Sequence, residues 1–284
     1  MLRIVTWNIQ WGLGIDETQN LKRLIGDARA IADFDVLCLQ EVSDNFANLK
    51  GNDGSNQFAE LGHLLPGYTA IEGVGLDIPD GEGGRRRFGN MILSRLPVKQ
   101  VYRHLLPYPC EPGVAGMPRI AVEAVVAAPF GDVRVITTHL EYYSPRQRMA
   151  QVDGLRTVYA DGHAHARDAT ITKDDGTPFQ TFLRPKATIV TGDFNFEPDW
   201  PEHPRMLQPF ADATPPLHDA WQLVNPGAPH PSTFCIYQKT DPSGAELHCD
   251  FIFVNSDLAP HVRGIAVDQQ TQASDHQPVI VTLA

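Results

Sequence analysis

The sequence predicts an α/β protein built on mixed β-sheets, with one domain spanning residues 1–284. Two observations carry that prediction. Short β-rich runs recur at 2–7, 35–40, 90–94, 120–127, 132–138, 187–191, 250–254 and 277–283, with helical stretches near 19–33, 56–64 and 145–160 between them. The runs 120–127 and 132–138 are joined by a turn at 129–132, so they read as an antiparallel hairpin rather than as part of a parallel array. No fixed-period repeat and no low-complexity linker divides the chain.

In chain order, Ile4, Val5 and Trp7 form an apolar run that ends on Asn8. Val36, Leu37, Cys38 and Leu39 form a second, ending on Glu41. Val135 and Ile136 lead to His139, Ile189 and Val190 lead to Gly192 and Asp193, and Asp250 heads the run Phe251, Ile252, Phe253, Val254. Ile265, Ala266 and Val267 come shortly before Ser274, Asp275 and His276. Apolar runs of this length read as buried strands. The stretch 145–160 is amphipathic, with Met149, Val152, Leu155 and Val158 at helical spacing. Three long loops remain. Residues 72–89 are glycine-rich and carry Arg85, Arg86 and Arg87, residues 107–118 are proline-rich, and residues 161–186 look like an insertion. Long loops in a folded domain are usually functional, which makes these the expected substrate-facing rim.

With 42% hydrophobic and 20% charged residues the composition is that of an ordinary globule. No apolar run approaches the roughly 18–20 residues that span a bilayer. The first residues enter a strand without a basic leader or a small-residue cleavage site, so the expected location is cytoplasmic, with no partner protein evident. Of the four cysteines, Cys38 and Cys249 lie in apparent core strands as small hydrophobes. Cys110 and Cys235 lack CxxC spacing and a histidine at zinc-finger distance, which leaves neither a disulfide framework nor a cysteine-based zinc site.

Reactive side chains recur at strand ends, where a rigid scaffold presents them best. The Asn8 amide oxygen and the Glu41 carboxylate are hard ligands suited to an octahedral Mg²⁺ or Mn²⁺. His139 is placed to donate to a phosphate oxygen. Asp193 and Asn195 flank Phe194 and by strand alternation point the same way, giving a carboxylate to orient water and an amide to bind a transition-state oxygen. Asp250 is costly at the head of an apolar strand unless paired, and His276 is its natural partner. Together these groups suit metal-assisted attack of water on phosphorus.

The same residues fall into motifs: Thr6-Trp7-Asn8, Leu39-Gln40-Glu41, Gly89-Asn90 with Ile92-Leu93-Ser94-Arg95, Thr138-His139-Leu140, Gly192-Asp193-Phe194-Asn195, Asp250-Phe251-Ile252-Phe253 and Ser274-Asp275-His276. In this order, along essentially the whole chain, they resemble the endonuclease/exonuclease/phosphatase superfamily, the fold of deoxyribonuclease I. The resemblance implies a four-layer α/β sandwich, two mixed β-sheets flanked by helices, with the site at one sheet edge. It implies that Asn8 and Glu41 hold the catalytic divalent metal with Asp275 near or on it, that Asp193 aligns or deprotonates the water, and that Asn195 binds the phosphoryl group. It further implies that His276, oriented by Asp250, contacts the scissile phosphate, that His139 donates to a non-bridging oxygen, and that Asn90 and Arg119 support the substrate. One departure stands out: the family commonly reads Arg-Ile-Asp-Tyr where this chain has His248, Cys249, Asp250 and Phe251.

Charge bears on the substrate. Twenty-three basic against 34 acidic residues give a net charge of −11, whereas proteins that track duplex DNA carry a basic face. The expectation is a phosphodiesterase or phosphatase acting on a small molecule, a lipid headgroup or a short nucleic-acid end. A DNA or RNA nuclease is the alternative, and a catalytically silent binding module is disfavoured because the whole polar set is present. Arg85, Arg86 and Arg87 would clamp a terminal phosphate bidentately, and Tyr142, Tyr143 and Trp200 would stack a ring or base.

Overall fold

A computed structural model describes residues 1–237 and 245–284. Its strands, in chain order, begin with β1 (Leu2–Asn8), β2 (Val36–Asp44), β3 (Thr69–Pro79) and β4 (Arg85–Ser94). Next come β5 (Val98–Leu105), β6 (Ile120–Ala128), β7 (Gly131–His139) and β8 (Thr188–Asp193). The last are β9 (Leu217–Asp219), β10 (Asp250–Asn255), β11 (Val262–Val267) and β12 (Val279–Leu283). They form two six-stranded sheets of order β11-β12-β1-β2-β4-β3 and β5-β6-β7-β8-β10-β9. Both are mixed: β1 runs parallel to β2 and β7 parallel to β8, while the other neighbours are antiparallel.

Side-chain alternation explains the layering. Leu2 and Ile4 of β1 face Val122, Val135, Ile189 and Ile252 of the other sheet in one buried cluster between the sheets. Val5 and Trp7, the intervening residues, face outward onto helices α1 (Leu21–Ile31) and α2 (Gln57–Leu64). On the far side, Ile136, Val190 and Phe253 pack against α3 (Pro145–Arg167) and α4 (Glu202–Leu207). Helix, sheet, sheet, helix is the four-layer sandwich that the motifs imply. Asn20, Asn56 and Ser144 cap α1, α2 and α3 by accepting a backbone N–H three residues on.

The structure corrects two loop readings. Residues 72–89 are no glycine-rich loop but most of the β3–β4 hairpin, and Arg85, Arg86 and Arg87 begin β4. The glycines serve close approach: a Cβ on Gly89 would lie 2.0 Å from the Gly73 carbonyl oxygen. Residues 161–167 continue α3, although Asp161 and Gly162 read as a helix end. Gly162 sits there because the Arg134 guanidinium crosses the helix, 2.1 Å from where a Cβ would be. Strands β5 and β9 were not anticipated; β5 is a polar edge strand and β9 only three residues long. The run at 265–267, read as buried, belongs to β11, a half-buried edge strand. All four cysteines are free thiols.

Arg134 anchors a buried ion cluster. Its guanidinium bonds both Glu123 carboxylate oxygens (2.8 and 3.2 Å) and donates to the carbonyls of Val158 and Tyr159, while Arg184 and His104 also contact Glu123. Burial alone would raise the Glu123 pKa, but the His104 and Arg134 bonds hold it far below its ordinary 4.5. A depressed carboxylate contributes stability above its unfolded pKa and loses it as pH falls toward the folded value. Glu123→Gln, which strands a buried cation, is therefore expected to destabilise by about 3–5 kcal/mol at pH 7. In urea melts the gap to wild type should narrow below about pH 4.5. A gap that stays constant with pH would remove the ionised Glu123 from this account.

Candidate active site

The C-terminal ends of the two parallel pairs, β1–β2 and β7–β8, meet at one edge of the sandwich. Asn8 ends β1, His139 ends β7, and Asp193 ends β8 beside it in register. Glu41 reaches the same place through a bulge. The β2–β4 register shifts between Leu39 and Val42, and Glu41 takes a left-handed φ of 62°. Leu37, Leu39 and Val42 all pack on the helix side, so without the bulge Glu41 would point there too. Asp250 heads β10 opposite Asp193, and the segment 274–276 is tied to β1. The Trp7 indole donates to the His276 carbonyl (2.9 Å), and the Ser274 hydroxyl to that of Asn8 (2.8 Å).

These residues converge. The Asn8 amide nitrogen donates to Glu41 Oε1 at 3.2 Å and to Asp193 Oδ2 at 2.9 Å, joining the two sheets. His276 Nδ1 donates to Asp250 Oδ2 at 2.8 Å, leaving Nε2 3.6 Å from Asp193 Oδ2. His139 Nε2 is 3.4 Å from the same oxygen, and its Nδ1 is buried without a hydrogen-bond partner. Asn195, at φ 52°, donates its amide to the Leu140 carbonyl and its backbone N–H to Asp193 Oδ1. Phe194 between them points into the aromatic core with Phe196, Phe251 and Phe253.

The cavity above these groups has a volume of about 680 Å³, and Glu41, Arg119, His139, Asp193, Asn195, Asp275 and His276 all line it. Asn8 and Asp250 lie behind that wall and act on it through their hydrogen bonds. Asn90 is one step removed, its amide donating to the Ile120 carbonyl beside a small crevice shared with Arg119 and His139. Arg119 is paired with Glu141 at 3.3 Å and keeps Nη1 buried without a partner. The arginine triple is not brought to the cavity: Arg85 is engaged by Asp77, and Arg87 by Asp44 and Glu72. Tyr142, Tyr143 and Trp200 do line it. Arg148 is buried against Glu202 (2.9 Å) and stacks on the Trp200 ring.

Sequence reasoning missed Gln10, whose amide donates to Asp275 Oδ2 at 2.6 Å, together with Trp11, Phe234 and Leu247 in the wall. The signal for Gln10 and Trp11 was their place just after Asn8. Both have left-handed backbones, φ 44°, and of the seven non-glycine residues with positive φ among the described residues four line this cavity (Gln10, Trp11, Glu41 and Asn195). Backbone strain concentrated at one site is a mark of function.

The electrostatics separate the two histidines. Burial, with Arg119 adding to it, pushes His139 down to about 3, so it is a neutral imidazole. For His276 burial works the same way, but Asp250 and Asp193 outweigh it and push the value up to about 10, so it is an imidazolium at neutral pH. Burial and the neighbouring Asp275 push Glu41 up to about 7, and burial also raises Asp275. Half-buried carboxylates short of compensating charge, with an amide beside them, are the donor chemistry of a hard divalent cation. Asn8, Glu41 and Asp275 fit such an ion. Asp193, Cys249 and His276 also cluster closely, but the Cys249 thiol is held protonated by burial and His276 is committed to Asp250.

Two facing mixed sheets with Asp, Asn, Glu and His side chains converging at strand ends define the deoxyribonuclease I-like class. The chain belongs to the Endonuclease/Exonuclease/phosphatase family, whose model matches residues 5–276. Family members are hydrolases of phosphoester bonds and are generally dependent on divalent metal. No curated protein matches the chain. Among solved structures it is similar to an endonuclease/exonuclease/phosphatase from Beutenbergia cavernae, at 25% identity over 99% of this chain and 70% of that one, TM-score 0.65. It is also similar to the mannosyl-6-phosphatase of Bacteroides thetaiotaomicron (19% identity, 100% of both chains, TM-score 0.64). The fold is shared, too, by D. rerio TDP2 complexed with single-strand DNA product (19% identity, 100% and 98%, TM-score 0.66). No helix among the described residues is long and apolar enough to cross a membrane.

Proposed function

We propose that this protein is a Mg²⁺- or Mn²⁺-dependent hydrolase that cleaves a single phosphoester in a small substrate bearing a ring or other apolar group. The observation that carries the proposal is the composition of the cavity wall. Trp11, Tyr142, Tyr143, Phe196, Trp200, Phe234 and Leu247 surround a floor of Glu41, Asp193, Asp275 and His276, and among the described residues Arg119 is the one arginine and no lysine is present. That wall recognises one phosphate and one apolar neighbour, and offers little to a polyphosphate or a long backbone.

Each side chain then has a role. Asp193 is the acceptor for the proton of the attacking water, whose oxygen forms the new P–O bond as the bond to the leaving oxygen breaks. The His276 imidazolium, fixed by Asp250, points Nε2 at the phosphoryl oxygens and donates to charge that grows there. Neutral His139 and the Asn195 amide add donors without adding net charge. Asn90 and Arg119 set the wall beside His139. A divalent ion held by Asn8, Glu41 and Asp275 would supply electrophilic stabilisation of the phosphoryl oxygens.

The aromatic wall favours one second reading, a nuclease acting on a single-stranded end, since bases stack on such surfaces whatever their sequence. A substrate panel separates the two. It comprises p-nitrophenyl phosphate, bis-p-nitrophenyl phosphate, sugar phosphates, phospholipid headgroups, RNA, and abasic, nicked and 5′-blocked DNA, each with Mg²⁺ or Mn²⁺. The expected preference is for the small esters, with weak binding to duplex DNA at physiological salt. A log–log salt slope for duplex binding steeper than about −4 would imply four or more phosphate contacts and overturn the small-substrate reading.

A further inference from the structure

A second group of metal-binding side chains lies outside the catalytic constellation. His203 of α4 and His230, in the loop after the helix α5 (Ala220–Val224), both place Nε2 on Asp219 Oδ2, at 2.9 and 2.7 Å. The three ligand atoms lie within 4.8 Å of one another, and His203 and Asp219 are buried. The other Asp219 oxygen is occupied, accepting the Trp221 N–H that starts α5.

The neighbouring His248 adds an independent observation. Its ring centroid lies 4.5 Å from that of His230. Its Nδ1 faces the Pro231 carbonyl at 2.6 Å and must donate to it, so Nε2 carries a lone pair, and that atom is buried with no partner. Imidazoles that serve metals are typically fixed this way, one nitrogen tied to a carbonyl and the other bare. Phe251 packs against all three imidazoles, with ring centroids 5.3, 5.7 and 4.5 Å from His203, His230 and His248. His248 and Phe251 are two of the three positions where the chain departs from the family's Arg-Ile-Asp-Tyr.

We propose that His203, Asp219 and His230 form a binding site for a Zn²⁺-class cation, distinct from the catalytic carboxylates, which fastens α4, β9 and the 225–233 loop behind Asp250. Two imidazole nitrogens with one carboxylate match a borderline ion of small radius, whereas Mg²⁺ prefers oxygen alone. On binding, each ring carries its hydrogen on Nδ1 instead of Nε2, so lone pairs replace the N–H groups that now face Asp219. Because Phe251 follows Asp250 directly, the ion would stiffen the strand end that orients His276.

The test loads the full chain with ZnCl₂ after chelation and desalting, then measures zinc per chain and the melting temperature. Glu41→Gln serves as background, to weaken the catalytic metal site. The expected result is one retained zinc per chain and a rise in Tm of roughly 5 °C or more at saturating ion. Adding His203→Gln or His230→Gln should abolish both effects while leaving the metal-free Tm near that of the background. If either double variant fails to fold, Asp219→Asn replaces it, since Asn also caps a helix. Glu41→Gln protein that retains no zinc, or double variants that retain as much as the background, would overturn the proposal.

Discussion

Asp193→Asn is expected to lower kcat by a factor of roughly 10²–10⁴, the range for losing a positioned acid–base group, with the fold intact. The side chain sits at the centre of the constellation, accepting from Asn8 and from the Asn195 backbone and approached by both histidines. Asn is nearly isosteric, opens no cavity and removes one negative charge from a crowded buried set, so circular dichroism and melting should change little. His276→Ala should fall in the same range, because it removes the one donor whose charge Asp250 sustains. A folded Asp193→Asn enzyme with more than a tenth of wild-type turnover would remove Asp193 from the proton-accepting role.

The second large effect is metal removal. Chelation by EDTA is expected to abolish hydrolysis, and Mg²⁺ or Mn²⁺ to restore it, because Asn8, Glu41 and Asp275 offer oxygen ligands alone. Glu41→Gln should shift the restoring metal concentration upward by an order of magnitude or more, with the substrate KM changed less. Undiminished turnover in metal-free buffer would sink the mechanism. Restoration by Zn²⁺ alone would instead move the catalytic role to a site with nitrogen ligands.

Four of the residues legible in the sequence share one property: each is a polar group that ends or heads an apolar strand. Asn8, His139, Asp193 and Asp250 stand at strand termini, and the local pattern is enough to find them. Glu41 was legible as a carboxylate after a strand, but the bulge that aims it was not, since a left-handed non-glycine residue leaves no mark in composition. The 72–89 misreading has the same root. Glycine looks like flexibility in a sequence, yet here it allows two backbones and a facing sheet to approach. The reading of Arg85, Arg86 and Arg87 followed that error, because in the strand acidic neighbours engage Arg85 and Arg87, which a loop would leave for substrate. The cavity wall was least visible: Trp11, Phe234 and Leu247 are far apart in sequence and meet only through topology. The His203, Asp219 and His230 group was invisible for the same reason.

The pairing of β1 with β12, Leu2 opposite Leu283, bears on how the protein is made. A ribosome synthesises from the N-terminus at about 5–20 residues per second, so β1 waits roughly 15–60 s for the partner that covers one of its edges. Until then an apolar strand has an open side, the kind of surface that recruits a chaperone or another nascent chain. Assembly of the site is equally delayed, because Ser274 lies 266 residues after Asn8, whose carbonyl its hydroxyl binds. The candidate site is therefore assembled only when β12 pairs with β1 and draws the segment before it onto the sheet edge.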